Sequence, residues 1–285
     1  MRIESFFDPD TSTYSHLLSD PASQRCAIID PVLDYDPAAA RIGHASADRL
    51  IDHVRANGLQ VDWLLETHVH ADHLSAARYL RERLGGRIGI GAEIPRVQVA
   101  FADLFDAEEA FAQDGSQFDR LFADEECFHV GCLPVRVLHT PGHTPACVSY
   151  LVGDAAFIGD TLFMPDSGTA RCDFPGGDAR QLYRSIQRLF ALPASTRLFL
   201  CHDYKAPGRE HHCCQTTVGE QRAHNIHVGR GTAEADFVAM RTRRDSGLDL
   251  PRLMLPAVQV NMRAGNLPPP AANGRRYFKL PLDCF

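Results

Sequence analysis

Thr67-His68-Val69-His70-Ala71-Asp72-His73 places three imidazoles and a carboxylate at the end of the apolar run Trp63-Leu64-Leu65. Residues two apart in an extended chain point the same way, so His68 and His70 can approach one ion together. Asp72 and His73 are expected on the opening turn of the next helix, facing the same pocket. A single histidine at such a turn reads best as a solvated polar residue, and Asp72 alone as an N-cap. Four such groups in this order instead match metal-ligand spacing.

Around this stretch the pattern is layered. A strand over 61–66 follows a buried strand over 26–29 and a helix over 47–56 with Leu50, Ile51 and Val54 at helical spacing. A helix over 72–84, with Leu74, Ala77, Leu80 and Leu84 on one face, ends at Gly85-Gly86 before a strand over 87–90. Residues 106–126 are acidic and loop-prone around Asp114-Gly115-Ser116 and read as a surface insertion. Strands are expected over 133–139, 147–152, 155–158 and 197–201, and helices over 176–189, 216–225 and 233–243. From about 248 to 285 the chain is Pro-rich, with Pro268-Pro269-Pro270, and reads as a non-globular extension of one domain covering 1–285.

The bulk numbers restrict the function class. Twenty-nine Lys and Arg against thirty-six Asp and Glu give a net charge of −7, which opposes nucleic-acid binding and favours a small-molecule protein. No run of eighteen apolar residues occurs, so no membrane partner is expected. Nine cysteines, an odd number at irregular spacing, suggest reduced thiols and a cytoplasmic location. His211-His212-Cys213-Cys214 reads as a loop, because four consecutive residues cannot easily wrap one tetrahedral ion. Cys172 reads as a packed small residue.

Three later segments each follow a strand: Thr140-Pro141-Gly142-His143, Gly159-Asp160-Thr161 and Leu200-Cys201-His202-Asp203. Donors on several strand ends can converge on one edge of a rigid sandwich. The ordered set His68, His70, Asp72, His73, His143, Asp160 and His202 resembles the ligand pattern of the metallo-β-lactamase superfamily, over nearly the whole chain. The resemblance implies an α+β fold, a four-layer αββα sandwich with the metal at one edge.

Within that superfamily, His68 to His73 with Ala71 before Asp72, Arg171-Cys172-Asp173-Phe174 and His202-Asp203-Tyr204 resemble the persulfide dioxygenase branch. The family's Gly-Arg-Thr-Asp-Phe appears here as Ala170-Arg171-Cys172-Asp173-Phe174, which leaves any hydroxyl role at 172 without its residue. The resemblance implies one Fe(II) per chain, held by His68, His143 and Asp160 as metal ligands and catalytic residues. Dioxygen and water would convert glutathione persulfide to sulfite and glutathione. His70, Asp72, His73, His202 and Asp203 would then support the ligands, and a homodimer is implied. Arg171, Tyr204 and Lys205 are the expected glutathione contacts. Two other readings stand beside it: a binuclear zinc hydrolase of glutathione thioesters, of glyoxalase II type, and a non-catalytic metal-binding module that senses sulfide.

Overall fold

The computed structural model describes residues 1–284. In the first half, β1 (Arg2–Asp8), β2 (Thr13–Asp20) and β3 (Arg25–Ile29) pair antiparallel. Parallel strands β4 (Gln60–Leu65), β5 (Arg87–Gly91) and β6 (Arg120–Phe122) extend that sheet in chain order. A second six-stranded sheet contains β7 (Cys127–Val130), β8 (Leu133–His139), β9 (Val148–Val152), β10 (Ala155–Phe157), β11 (Arg197–Phe199) and β12 (Gln215–Thr217). Only its β10–β11 pair is parallel.

Alternation along the strands sorts the core into layers. Trp63 and Leu65 face the second sheet and pack with Tyr150 and Phe157, whereas Leu64 between them faces outward. Ile28 and Ile29 divide the same way. Both faces of these strands are covered, which is why they read as continuous apolar runs. Burying each such side chain contributes about 1.5–3 kcal/mol. Helices α1 (Ala45–Ala56), α2 (Ala77–Leu84) and α3 (Ile94–Leu104) cover the outer face of the first sheet. The outer face of the second sheet packs against α4 (Ala179–Phe190), α5 (Val218–His224) and α6 (Glu234–Asp245). A seventh helix, α7 (Met254–Asn261), returns to the first layer. The result is the α+β, four-layer αββα sandwich that the motif resemblance implied. Among the described residues no helix is long and apolar enough to cross a membrane.

Four sequence expectations need correction. The helix expected from Asp72 starts at Ala77, because Leu74–Ser75 first pairs with Val32–Leu33 and Ala76 donates to the Pro31 carbonyl at 2.8 Å. Asp72 and His73 therefore lie in a pinned loop and not on a helical turn. Residues 106–126 are more than a surface insertion: Phe111, Phe118 and Phe122 are buried, and β6 forms the sheet edge. The 216–225 segment opens with a strand residue, since Thr216 pairs with Leu198 before Thr217 caps α5. Residues 248–285 are not wholly non-globular, since α7 is deeply buried and Leu267 and Phe278 pack on the core. The last residue of that range, Phe285, lies outside the described residues.

Candidate metal centre

Five strand ends meet at one edge of the sandwich. Asp30 follows β3, residues 66–73 follow β4, His143 lies beyond β8, Asp160 beyond β10 and His202 beyond β11. Close packing at this edge requires small residues. A Cβ on Gly142, where φ is +136°, would stand 2.2 Å from the backbone nitrogen of Leu182. One on Gly159, at φ +51°, would stand 2.5 Å from Thr67 Oγ1. Both positions therefore demand glycine, and both set the approach of the adjacent His143 and Asp160.

Hydrogen bonds fix which nitrogen each ring presents. Asp30 Oδ1 accepts the Thr67 backbone N–H at 2.7 Å and Oδ2 accepts its hydroxyl at 2.9 Å. Thr67 Oγ1 has thus spent its hydrogen and accepts from His68 Nδ1 at 3.0 Å, leaving His68 Nε2 as a free lone pair. His143 Nδ1 donates to the Arg171 carbonyl at 2.8 Å, so its Nε2 is free as well. Asp160 Oδ2 lies 3.9 Å from His68 Nε2 and 3.7 Å from His143 Nε2. An ion about 2.1 Å from each of two donors permits separations up to about 4.2 Å, so these three groups can share one.

Burial supports the same conclusion. His68 is 1% exposed, yet its Nε2 and the Oδ1 of Asp160 have no hydrogen-bond partner. Native structures rarely leave buried polar atoms unpaired without a functional cause. Burial, reinforced by His70 and His143, holds His68 well below the usual imidazole pKa, which keeps it neutral as a ligand must be. Burial, with His70 and His202 nearby, pushes His73 down to about 3. Burial also pulls on His202, but Asp160 and Asp72 outweigh it and hold that ring well above its ordinary value. Asp30 does the same to His70. Carboxylates that draw protons onto buried rings equally favour a divalent cation, and the residues present fit one.

The remaining expected residues divide. His70 Nε2 bonds Asp30 at 3.0 Å and lies 3.3 Å from Glu66, which leaves its Nδ1 buried without a hydrogen-bond partner. Asp72 Oδ2 stands 3.0 Å from His202 Nε2 and 3.4 Å from the Tyr204 hydroxyl, whose ring stacks on His202. His202 Nε2 is also 3.5 Å from Asp160 Oδ1. Asp203 turns the other way and accepts from Arg209, Lys205 N and Cys213 N, organising the 204–213 loop. His211 to Cys214 form part of that loop, and Cys172 is buried, both as expected.

A cavity of about 620 Å³ opens over His143, Asp72 and Asp160, and Arg171, Tyr204 and Lys205 all line it. Arg171 is already engaged: the Nε–Nη2 edge of its guanidinium donates to both oxygens of Asp173 at 2.6 Å, and Nη1 donates to the Asp249 carbonyl. Three groups escaped the sequence reading. Asp30 organises the ligand loop, and its position after the Ala27-Ile28-Ile29 strand at the same sheet edge is the signal that could have found it. Asn261 holds that loop from α7, and Arg244 adds a cation to the cavity wall; neither lies in a motif.

The metallo-beta-lactamase superfamily profile matches residues 9–202, which ends on His202. The chain is 59% identical to a probable metallo-hydrolase of Burkholderia pseudomallei, over 99% of both proteins. It is 46% identical to glyoxylase B2 of Dictyostelium discoideum over 99% of this chain and 97% of that protein. To the mitochondrial persulfide dioxygenase ETHE1 of Mus musculus it is 31% identical over 94% of this chain and 91% of the other. The crystal structure of ETHE1 from Myxococcus xanthus superposes with a TM-score of 0.74 at 32% identity, covering 93% of this chain and 100% of that one.

Proposed function

The chain belongs to the metallo-β-lactamase superfamily, and we propose that it is a cytoplasmic persulfide dioxygenase, one domain carrying one ferrous ion in a homodimer. Glutathione persulfide, dioxygen and water would leave as sulfite and glutathione. The observation that carries this reading is the donor set His68, His143 and Asp160, two imidazoles and one carboxylate. That ligand type suits non-haem iron with open positions for substrate and oxygen. A bound ferrous ion would bind and activate dioxygen, while the four electrons that reduce it would come from the outer sulfur as it is oxidised to sulfite. The persulfide dioxygenase relative and the Myxococcus structure support the substrate class.

The chain's own residues orient and shield. Thr67 and the Arg171 carbonyl fix the tautomers of His68 and His143, so neither ring must turn when substrate enters. Phe174, packed edge-on against His143 at 5.3 Å, joins Ala71, Phe163 and Ala170 as an apolar collar that limits water at the reacting sulfur. Tyr204 and Lys205, on the same wall, are the proposed contacts to the peptide tail, with Arg171 positioned beside Asp173 as a weaker one.

A specific observation favours a second reading, hydrolysis of a glutathione thioester by two zinc ions. Asp160 turns Oδ2 toward His68 and His143 and Oδ1 toward His202, so one carboxylate can serve two ions. The glyoxylase B2 relative points the same way. The test is oxygen uptake by anaerobically iron-loaded protein given glutathione persulfide, with sulfite quantified and His68→Ala as control. Uptake matched by sulfite and lost in the variant is the expected result. No uptake, together with cleavage of lactoylglutathione by the zinc-loaded protein, would replace the dioxygenase with the hydrolase.

A further inference from the structure

Away from the ligand donors, Cys213 and Cys214 stand next to each other where the 203–213 loop returns to β12, both partly exposed and both free. Hydrogen bonds grip the chain on either side of the pair. The Cys213 N–H donates to Asp203 Oδ2 at 2.7 Å, and the Cys214 carbonyl accepts from the Leu200 N–H at 2.8 Å. The peptide that joins the two is free by contrast: among the described residues, neither the Cys213 carbonyl nor the Cys214 N–H is paired with another residue. Asp203 is wholly buried and is the hub of the loop. It also accepts from Arg209 and from the Lys205 N–H at 3.0 Å, and its carbonyl accepts from His212 Nδ1 at 3.0 Å. Tyr204 and Lys205, at the start of that loop, line the cavity.

We propose that Cys213 and Cys214 are a redox modification site, oxidised by low-molecular-weight disulfides to a bond between the two neighbours that unlocks the 203–213 loop. Burial pushes the Cys214 thiol up, so the Cys213 thiolate is the attacking group. It attacks one sulfur of the small disulfide, whose bond breaks; one small thiol leaves with a proton, and a mixed disulfide remains on Cys213. The Cys214 thiolate then attacks Cys213 Sγ and expels the second small thiol. The two cysteines together lose two electrons and two protons, and the small disulfide gains them. Cα atoms joined by a trans peptide are about 3.8 Å apart, whereas ordinary disulfides span about 4.4–6.8 Å. A bridge between neighbours is therefore strained, and strained bridges are the readily reduced, regulatory kind. Closing so small a ring turns the free peptide and pulls on the two bonds that flank it. Loss of the Cys213 N–H leaves the buried Asp203 carboxylate short of a donor, and Tyr204 and Lys205 loosen with it. An oxidised thiol pool would thus relax one wall of the cavity. The inference holds whichever reaction the cavity performs.

Cys127, Cys132 and Cys284 are exposed as well, but none has a thiol next to it in sequence, and each should stop at the mixed disulfide. Trypsin supplies both readouts of the test, because Lys205 and Arg209 lie in the loop and the peptide Glu210–Arg222 contains Cys213, Cys214 and no other cysteine. Full-length protein as purified is equilibrated with glutathione buffers of rising disulfide content, alkylated and digested. Glu210–Arg222 is expected lighter by two hydrogens and closed to alkylation, and should revert in excess reduced glutathione. In Cys214→Ser the same peptide should instead carry one glutathione on Cys213. Brief trypsin treatment of the native protein should cut after Lys205 and Arg209 about tenfold faster once oxidised, the effect of losing one hydrogen bond to a charged group. Oxidant should leave that rate unchanged in Cys213→Ser. A wild-type peptide that carries only glutathione, or only reduced thiols, at every buffer ratio would overturn the proposal. So would an intrapeptide bond that forms without a change in cutting rate, or a faster rate that persists in Cys213→Ser. The masses and rates of the wild type need no variant, so they decide the matter even where a serine variant fails to fold.

Discussion

Asn261 donates its side-chain amide to the carbonyl oxygen of His70 at 2.8 Å, across 191 positions of chain. The same amide reaches the His73 carbonyl at 2.8 Å, and Oδ1 accepts the Ser75 N–H at 2.7 Å. One residue on α7 therefore sets the backbone of the loop that carries His70, Asp72 and His73. Asn261→Ala would leave these buried groups without partners, at about 1–3 kcal/mol each. We expect a loss of several kcal/mol in urea unfolding together with a lower metal content after purification. Unchanged metal content in a folded Asn261→Ala protein would show that the loop holds its shape alone.

That contact marks where sequence reading stops. The histidine loop is legible because its donors lie within six residues and its strand is apolar on both faces. His143, Asp160 and His202 are legible because each follows a strand. Asn261 lies in a segment whose prolines mask a helix, and nothing local to Val260-Asn261-Met262 says that it will meet a loop near residue 70. The start of α2 is misread for a related reason: Leu74 and Ala77 fit a helical stripe, but pairing of Leu74–Ser75 with Val32–Leu33 overrides it. Long-range hydrogen bonds decide both cases, and periodicity carries no record of them.

Asp30 gives the second prediction. Its two oxygens serve Thr67 N, Thr67 Oγ1 and His70 Nε2, so it orients the His70 ring directly and the His68 ring through Thr67. Removing such a supporting carboxylate typically lowers metal affinity about 10–100-fold. Asp30→Asn should do so with little change in fold, read by competition with a chelating dye. Wild-type affinity in Asp30→Asn would mean that Thr67 and Glu66 suffice.

His16 contributes to the pH dependence of stability from outside the donor set. Burial pushes His16 down to about 4, while its Nε2 donates to the Leu200 carbonyl at 2.9 Å and its Nδ1 meets Ser5 Oγ at 2.8 Å. Between about pH 4 and 6.5 the unfolded chain binds a proton at this ring that the folded chain refuses, so stability falls as the pH drops through that window. The difference integrates to about 3 kcal/mol. His16→Gln should flatten this part of the curve of unfolding free energy against pH, whatever its effect at pH 8. An unaltered slope would assign the acid sensitivity elsewhere.

Arg241 and Asp245 form a buried ion pair on α6 that supports the cavity wall. Arg241 Nη1 donates to the Thr169 carbonyl at 3.1 Å and Asp245 Oδ2 accepts Cys172 N at 3.0 Å, so the pair holds the segment that presents the Arg171 carbonyl to His143. Breaking a buried pair by removing one partner typically costs about 3–5 kcal/mol, because the other charge stays behind. Asp245→Ala should lower Tm sharply, whereas the double change Arg241→Met with Asp245→Leu should recover most of the loss. Equal damage in the single and double variants would show that the backbone contacts, and not the stranded charge, matter.

Recognition of a glutathione tail leads to the last prediction, which holds for a persulfide or a thioester. The tail carries two carboxylates, and the cavity wall offers Arg171, Lys205, Arg241, Arg244 and Arg252. Arg171 and Arg241 are already paired with Asp173 and Asp245, and Arg252 donates to the Asp10 carbonyl at 3.3 Å. Lys205 and Arg244 are the exposed cations best able to turn toward an arriving carboxylate. A charge-assisted hydrogen bond is worth about 1.5–3 kcal/mol, so losing one should raise KM roughly 10–100-fold. The tail is bound alike before and during reaction, so kcat should change little in Arg244→Ala and in Lys205→Ala. Arg171→Ala should behave differently, freeing Asp173 and loosening the segment behind His143, so that kcat and metal content fall together. If KM stays constant in both Arg244→Ala and Lys205→Ala, the tail lies elsewhere in the cavity.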